Sequence, residues 1–128
     1  IETDSGHRML IYYSLGNYVS YQKEAPRMLG GMAKITIKKE KNVTYISKAS
    51  ITPIVTHYED TPDYSYGVYK LSDYTVDKAI RHGVLQLQQN SSFTLAGTKN
   101  LANQILGDWN TCYVYTEPVK INHSMDLQ

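Results

Sequence analysis

The side chains able to bind or transform a ligand gather at a few points along the chain. Ser14-Leu15-Gly16-Asn17 follows an apolar, aromatic run over 9–13 and combines a hydroxyl, a glycine and an amide within four residues. Gly16 permits backbone angles that a residue with a Cβ adopts only at a cost. Asn17 tolerates the left-handed region and carries both an acceptor and a donor. A polar loop at the end of a strand is a common place for binding groups. The plainer account of the same four residues is a tight turn in which Ser and Asn satisfy their own backbone. Glu2, Asp4 and His7 have metal-ligand chemistry, but a turn bearing Asp, Ser and Gly explains two of them and no second cluster completes a site. His57, with Glu59, Asp60 and Asp63 nearby, reads as a solvated loop, His82 as a helix-end residue and His123 as tail. Ser14 and Cys112 lack a recognisable base partner for nucleophilic catalysis. Gly30-Gly31 lacks the spacing of a phosphate-binding fingerprint.

The elements that must position these groups follow from pattern. The chain of 128 residues has the size of one domain, 1–128, with 41% apolar and 20% charged residues. Its formal charge of +1 gives no argument for a nucleic-acid partner. Twelve tyrosines against one Phe and one Trp predict rings at the core's edge or on an interaction surface, because the phenol hydroxyl needs a partner. A lone Cys112 excludes an intramolecular disulfide and a cysteine metal cage, and reads as a buried, inert thiol. The segments 1–3 and 8–13 read as strands around the turn Asp4-Ser5-Gly6-His7, with Tyr18-Val19 resuming the strand after the loop and 21–27 as an exposed loop. Gly30-Gly31 reads as a hinge before a strand over 32–39, in which Ala33, Ile35 and Ile37 alternate with Lys34, Thr36 and Lys38. Glu40-Lys41-Asn42 turns the chain into a longer strand over 43–58. That strand should bulge near Ser47-Lys48 and place Pro53 on an edge or at a bend. The stretch 59–69 reads as a surface loop. Ser72-Asp73 can cap a helix with the stripe Val76, Ala79, Ile80 and Val84, stopped at Gly83. A second helix starts near Thr94 with Leu95, Leu101, Ala102, Ile105 and Leu106 inward, and ends at Gly107. Asn90-Ser91-Ser92 connects the two. A last strand over 111–120 bends or ends at Glu117-Pro118, and 122–128 is a frayed tail. The resulting class is α+β: antiparallel β-hairpins over a β-rich region 1–58, then a helical pair and a final strand over 70–128.

Tyr13-Ser14-Leu15-Gly16-Asn17-Tyr18-Val19 resembles the YSLGNF-V motif of the capsule and poly-γ-glutamate synthesis family, the CapA or PgsA type. Ile1-Glu2 is similar to the close of that family's HPH…QP-I/V-E segment, Asp4-Ser5-Gly6 to its following turn, and Met9-Leu10-Ile11-Tyr12 to its I-I/F-Y strand. Gly30-Gly31-Met32 resembles the family's GG-L/M strand start. The specific likeness covers about the first third of the chain, and beyond Lys39 it is one of pattern only. It implies a calcineurin-like metallophosphatase fold, an αββα sandwich, of which this chain is the C-terminal part. The family's metal-binding Asp, Asn-His and His motifs have no counterpart here, so the resemblance implies no cofactor in this chain and divalent metal ions in a fuller protein. It implies Ser14, Gly16 and Asn17 as the margin of a binding cleft, no catalytic residue in this chain, and a parent of metal-dependent phosphoesterase type. The partners it implies are an N-terminal half of the same protein and a second copy covering uncovered strands. The place it implies is the bacterial cell envelope or the extracellular space. The alternative from a different class is a non-catalytic, tyrosine-rich binding or assembly module of the cell envelope.

Overall fold

The computed structural model describes residues 10–87 and 93–107, and the backbone of 113–120. It is an α+β protein built on β2 (Val43–Glu59), a central strand of 17 residues. β1 (Leu29–Glu40) pairs with it antiparallel along one side. The other side is shared: β3 (Ser65–Lys70) pairs with residues 54–59 of β2, and β4 (Tyr113–Lys120) pairs with residues 45–49. The sheet is therefore antiparallel and three strands wide, with β3 and β4 occupying the same edge.

Two features of β2 follow from its sequence. The register against β1 shifts between Thr36 and Ile37, so that Thr36 faces Lys48 and Ile37 faces Ile46. Ser47 is the extra residue, as the broken alternation predicts, and its hydroxyl donates to Thr36 O at 3.2 Å. The bulge returns Ile46 to the face of Ala49 and Ile51, opposite Ile37, Ile35 and Ala33. Pro53 lies in the central strand, not on an edge. Its carbonyl accepts from Leu71 N–H at 2.9 Å, just beyond β3, so this pair at the end of the ladder is held by one hydrogen bond and the proline lacks the N–H for a second. The turn from β1 to β2 is Lys41-Asn42, with Lys41 at φ 52.

The helices are short. Thr75 caps α1 (Val76–Arg81), its hydroxyl accepting from Lys78 N–H, in place of Ser72-Asp73. A 3-10 turn, Gly83–Gln86, follows directly. Thr94 caps α2 (Leu95–Leu106), which stops at Gly107 with φ 62. Only Ala79 and Val84 of the first expected stripe are buried, while Val76 and Ile80 face outward. A six-residue helix turns a narrow face to the core. In α2 Ala102 is buried, Leu95, Leu101 and Leu106 are half-buried, and Ile105 is exposed. The core forms where these helices meet the 54–59 half of β2, around Met28, Val55, Tyr58, Leu71, Tyr74, Val84 and Phe93.

Several sequence expectations fail in this frame. Residues 10–13 are not a strand, and Tyr18-Val19 is a bend. Gly30-Gly31 is no hinge but lies inside β1. The end of the expected loop over 21–27 is a 3-10 turn, Ala25–Met28, with Pro26 near its start. The tyrosine-rich stretch after the turn at 60–64 is β3. β4 runs through Glu117-Pro118, although its pairing with β2 lapses between Val114 and Val119. Glu2, Asp4, His7, Met9, the connection 90–92, Cys112 and the tail with His123 lie outside the described residues.

Candidate functional site

The motif loop rests on the glycine pair. Gly16 forms an isolated antiparallel bridge with Gly30, and Gly31 N–H donates to Leu15 O at 2.6 Å. Gly16 adopts φ +71, and a Cβ there would lie 2.8 Å from Leu29 O. A Cβ on Gly30 would collide with the carbonyl of Asn17. SLGN and LGG are thus complementary halves of one backbone contact, which side chains would hold apart. Two side chains of the sheet fasten the loop further. Thr56 Oγ1–H donates to Asn17 O at 3.3 Å, and the Tyr66 hydroxyl donates to Tyr18 O at 3.1 Å.

Within the loop, Gly16 N–H donates to Ser14 Oγ at 3.2 Å. Asn17 is buried, and its Oδ1 accepts from both Ser20 N–H and Ser20 Oγ–H at 2.9 Å, while Nδ2 donates to Ser20 O at 2.8 Å. Ser20 Oγ accepts from Gln22 Nε2 at 3.1 Å. Ser and Asn therefore do serve their own turn. They also line an open cavity of about 410 Å³ together with Gly16, Ser20, Gln22, Pro26, Arg27 and Leu29. Ser14, Gly16 and Asn17 come together there, and sequence reading omitted Ser20, Gln22 and Arg27. The Asn-x-x-Ser spacing that closes the loop was the available signal for Ser20. Arg27 left none, because its position depends on the 3-10 turn.

A second polar group is internal. His57, expected in a solvated loop, is 2% exposed inside β2. Its Nδ1 stands 2.7 Å from the Tyr74 hydroxyl and its Nε2 3.2 Å from Glu59 Oε1. The neutral ring protonated on Nε2 satisfies both contacts, with Tyr74 donating to Nδ1. Burial pulls the His57 pKa down, against the pull of Glu59. The hydrogen bond from His57, with Arg81 at 3.3 Å, holds the Glu59 carboxyl below its ordinary range.

His82 seals an opening in the sheet. β1 begins at Leu29 opposite Val55, so residues 56–59 of β2 have no β1 partner. His82 Nε2–H donates to Thr56 O at 3.0 Å, and its Nδ1 accepts from Val84 N–H at 3.1 Å. Burial lowers its pKa to about 4. Both histidines are buried and spend their ring nitrogens on structural hydrogen bonds in their neutral forms. The Tyr58 hydroxyl is different: it is buried and makes no hydrogen bond of good geometry among the described residues, with the Tyr21 hydroxyl near it and the Tyr21 and Tyr64 rings packed against its own at 4.7 and 6.4 Å.

Among the described residues, no group of three or more His, Cys, Asp or Glu could hold a metal ion, so they do not fit the divalent metals the resemblance implies for a fuller protein. No helix among them is long and apolar enough to cross a membrane. No family model, no curated protein and no solved structure matches the chain.

Proposed function

We propose that this chain is the C-terminal part of a CapA-like capsule or poly-γ-glutamate biosynthesis protein of metallophosphatase type, acting at the bacterial cell envelope or outside the cell. In this reading another part of the protein carries the divalent metal ions, and Ser14, Gly16 and Asn17 form one margin of the binding cleft. The observation that carries the reading is the YSLGNYV loop. It is fixed to the sheet through Gly30-Gly31 and turns Ser14, Gly16 and Asn17 toward an open cavity. A rigid, backbone-anchored loop beside a cavity is what a preorganised cleft margin requires. The N-terminal half of the same protein is the partner proposed, with a homodimer as a second association.

The test is Mn²⁺-dependent hydrolysis of a generic phosphodiester, by this chain alone and by a longer protein whose upstream segment carries the Asp, Asn-His and HPH motifs. Activity confined to the longer protein, and reduced by Gly16→Val, is the expected result. Robust hydrolysis by this chain alone would overturn the assignment of the metal half elsewhere. A second reading, a tyrosine-rich binding or assembly module of the envelope, has its own support. Tyr18, Tyr21, Tyr64 and Tyr66 are all exposed around the buried Tyr58. A longer protein lacking hydrolysis under every metal tried would favour it.

A further inference from the structure

We infer that the cavity at the motif loop binds the oxyanion of a small ligand, with Arg27 as its principal contact. The inference rests on reading the motif loop as a binding surface, and not on the reaction assigned to the parent protein. It starts from the hydrogen-bonding capacity the loop leaves unused. Asn17 spends its oxygen twice and one amide N–H on Ser20, so one N–H of a buried amide lining the cavity remains. Ser14 Oγ accepts from Gly16 N–H and keeps its own proton to donate. Gln22 donates one N–H to Ser20 Oγ and keeps the other. Arg27 adds a guanidinium, and no carboxylate lines the cavity. Among the amide side chains of the lining, the Gln22 carbonyl is the one acceptor the loop does not already use. Lining side chains with spare N–H and O–H donors, beside a guanidinium and with no carboxylate among them, are complementary to carboxylate or phosphate oxygens. Pro26 and Leu29 supply an apolar part suited to the carbon body of such a ligand.

Arg27 is available for this role. Its Nη2 lies 3.2 Å from Glu24 Oε1, and both side chains are more than half exposed. An exposed i, i+3 pair is weak, so an incoming anion can replace Glu24 at little cost. Glu24 then acts as a competing carboxylate held next to the site, which gives the proposal a specific signature: removing it should strengthen anion binding.

The experiment is an NMR titration of the ¹⁵N-labelled chain at constant ionic strength, with chloride replaced in turn by inorganic phosphate and by acetate, and with methyl glucoside as an uncharged control. Saturable shifts confined to Gly16, Asn17, Ser20 and the Arg27 side chain are expected with at least one anion. Saturation by both marks a general oxyanion site, and saturation by phosphate alone a phosphate site. Arg27→Met should weaken binding by about tenfold, and Glu24→Gln should tighten it by about twofold. Absence of localised saturation with either anion would overturn the inference. So would shifts that persist unchanged in Arg27→Met, or a response to methyl glucoside alone. A negative titration alongside metal-dependent hydrolysis by the longer protein would reject the oxyanion site and leave the parent reading standing. A positive titration without hydrolysis would do the reverse.

Discussion

Tyr58 carries a buried hydroxyl that makes no hydrogen bond of good geometry among the described residues, Tyr21 being its near neighbour. An unpaired buried hydroxyl costs about 1–3 kcal/mol, whereas removing it leaves a phenyl ring that packs equally well. Tyr58→Phe should therefore raise stability by about 1 kcal/mol, read as a higher urea midpoint with an unchanged slope. A clear loss of stability would show that the hydroxyl has a partner in solution. His82 has the opposite character, since both its ring nitrogens are used. Its folded pKa of about 4 lies below the ordinary 6.5. Between those values the unfolded chain binds more protons than the folded one, so stability rises with pH across that window. The contribution is fully present above pH 6.5 and is lost as pH falls toward 4, with an amplitude on the order of 3 kcal/mol. His57 is shifted in the same direction and adds to the same slope. Denaturation at pH 7, 5.5 and 4.5 should show this loss, and His82→Gln should be less stable at pH 7 with a shallower dependence. A flat profile over that range would mean that the rings are open to protonation in the folded state.

At the scale of elements, the contact between the motif loop and β1 is the most demanding, because it is backbone on backbone. Gly30→Ala would push a methyl group into the Asn17 carbonyl. We expect a cost of about 1–3 kcal/mol, with NMR shift changes concentrated over 14–20 while the β1–β2 ladder beyond Met32 keeps its pattern. A silent Gly30→Ala would mean that the loop stands off the sheet. Gly83→Ala makes a parallel case at the other end of the core, where the methyl would meet the Tyr58 ring. These contacts also explain what could be read from the sequence and what could not. The hairpin β1–β2, the bulge at Ser47 and α2 with its Thr94 and Gly107 ends are encoded locally, by alternation, a slip in it and capping residues. β3 was hidden because its residues, rich in Tyr and Gly, follow a turn-forming Asp60-Thr61-Pro62-Asp63, and it gains strand character only from pairing with β2. His57 was misread because nearby Asp and Glu suggest solvent, whereas its burial depends on Tyr74, 17 residues away. The failure of 10–13 to form a strand has the same source. An apolar run has strand propensity, but the β-bridge of this segment comes later, where Gly16 meets Gly30. Of the candidate site, Ser14, Gly16 and Asn17 were legible as a loop motif, while Arg27 arrived through tertiary structure alone.

At the scale of the whole molecule, the half of the β1–β2 hairpin remote from the core is thinly covered. Ala33, Ile35 and Ile37 form one apolar row with Ile46, Ala49 and Ile51 across the ladder, yet Ile35 and Ile37 remain 44% and 59% exposed. Beyond Gly31, no described strand pairs with the outer edge of β1. An uncovered row beside an open edge favours association with a second copy. The same hairpin carries Lys34, Lys38, Lys39, Lys41 and Lys48, all exposed. In an edge-to-edge pair those charges would face their own kind, so the lysines oppose what the isoleucines favour. Repulsion between exposed charges is screened by salt over about 8–10 Å at physiological strength and over less at higher strength, whereas apolar burial is not weakened. We therefore expect self-association at micromolar concentration that becomes stronger as sodium chloride rises, the reverse of an assembly held by ion pairs. Light scattering across a salt series measures it directly. Ile35→Lys with Ile37→Thr should hold the chain at its monomer mass of 14.6 kDa under all conditions. If the unaltered chain stays monomeric on concentration even in high salt, the lysines and the edge twist protect this face sufficiently, and the homodimer has no basis.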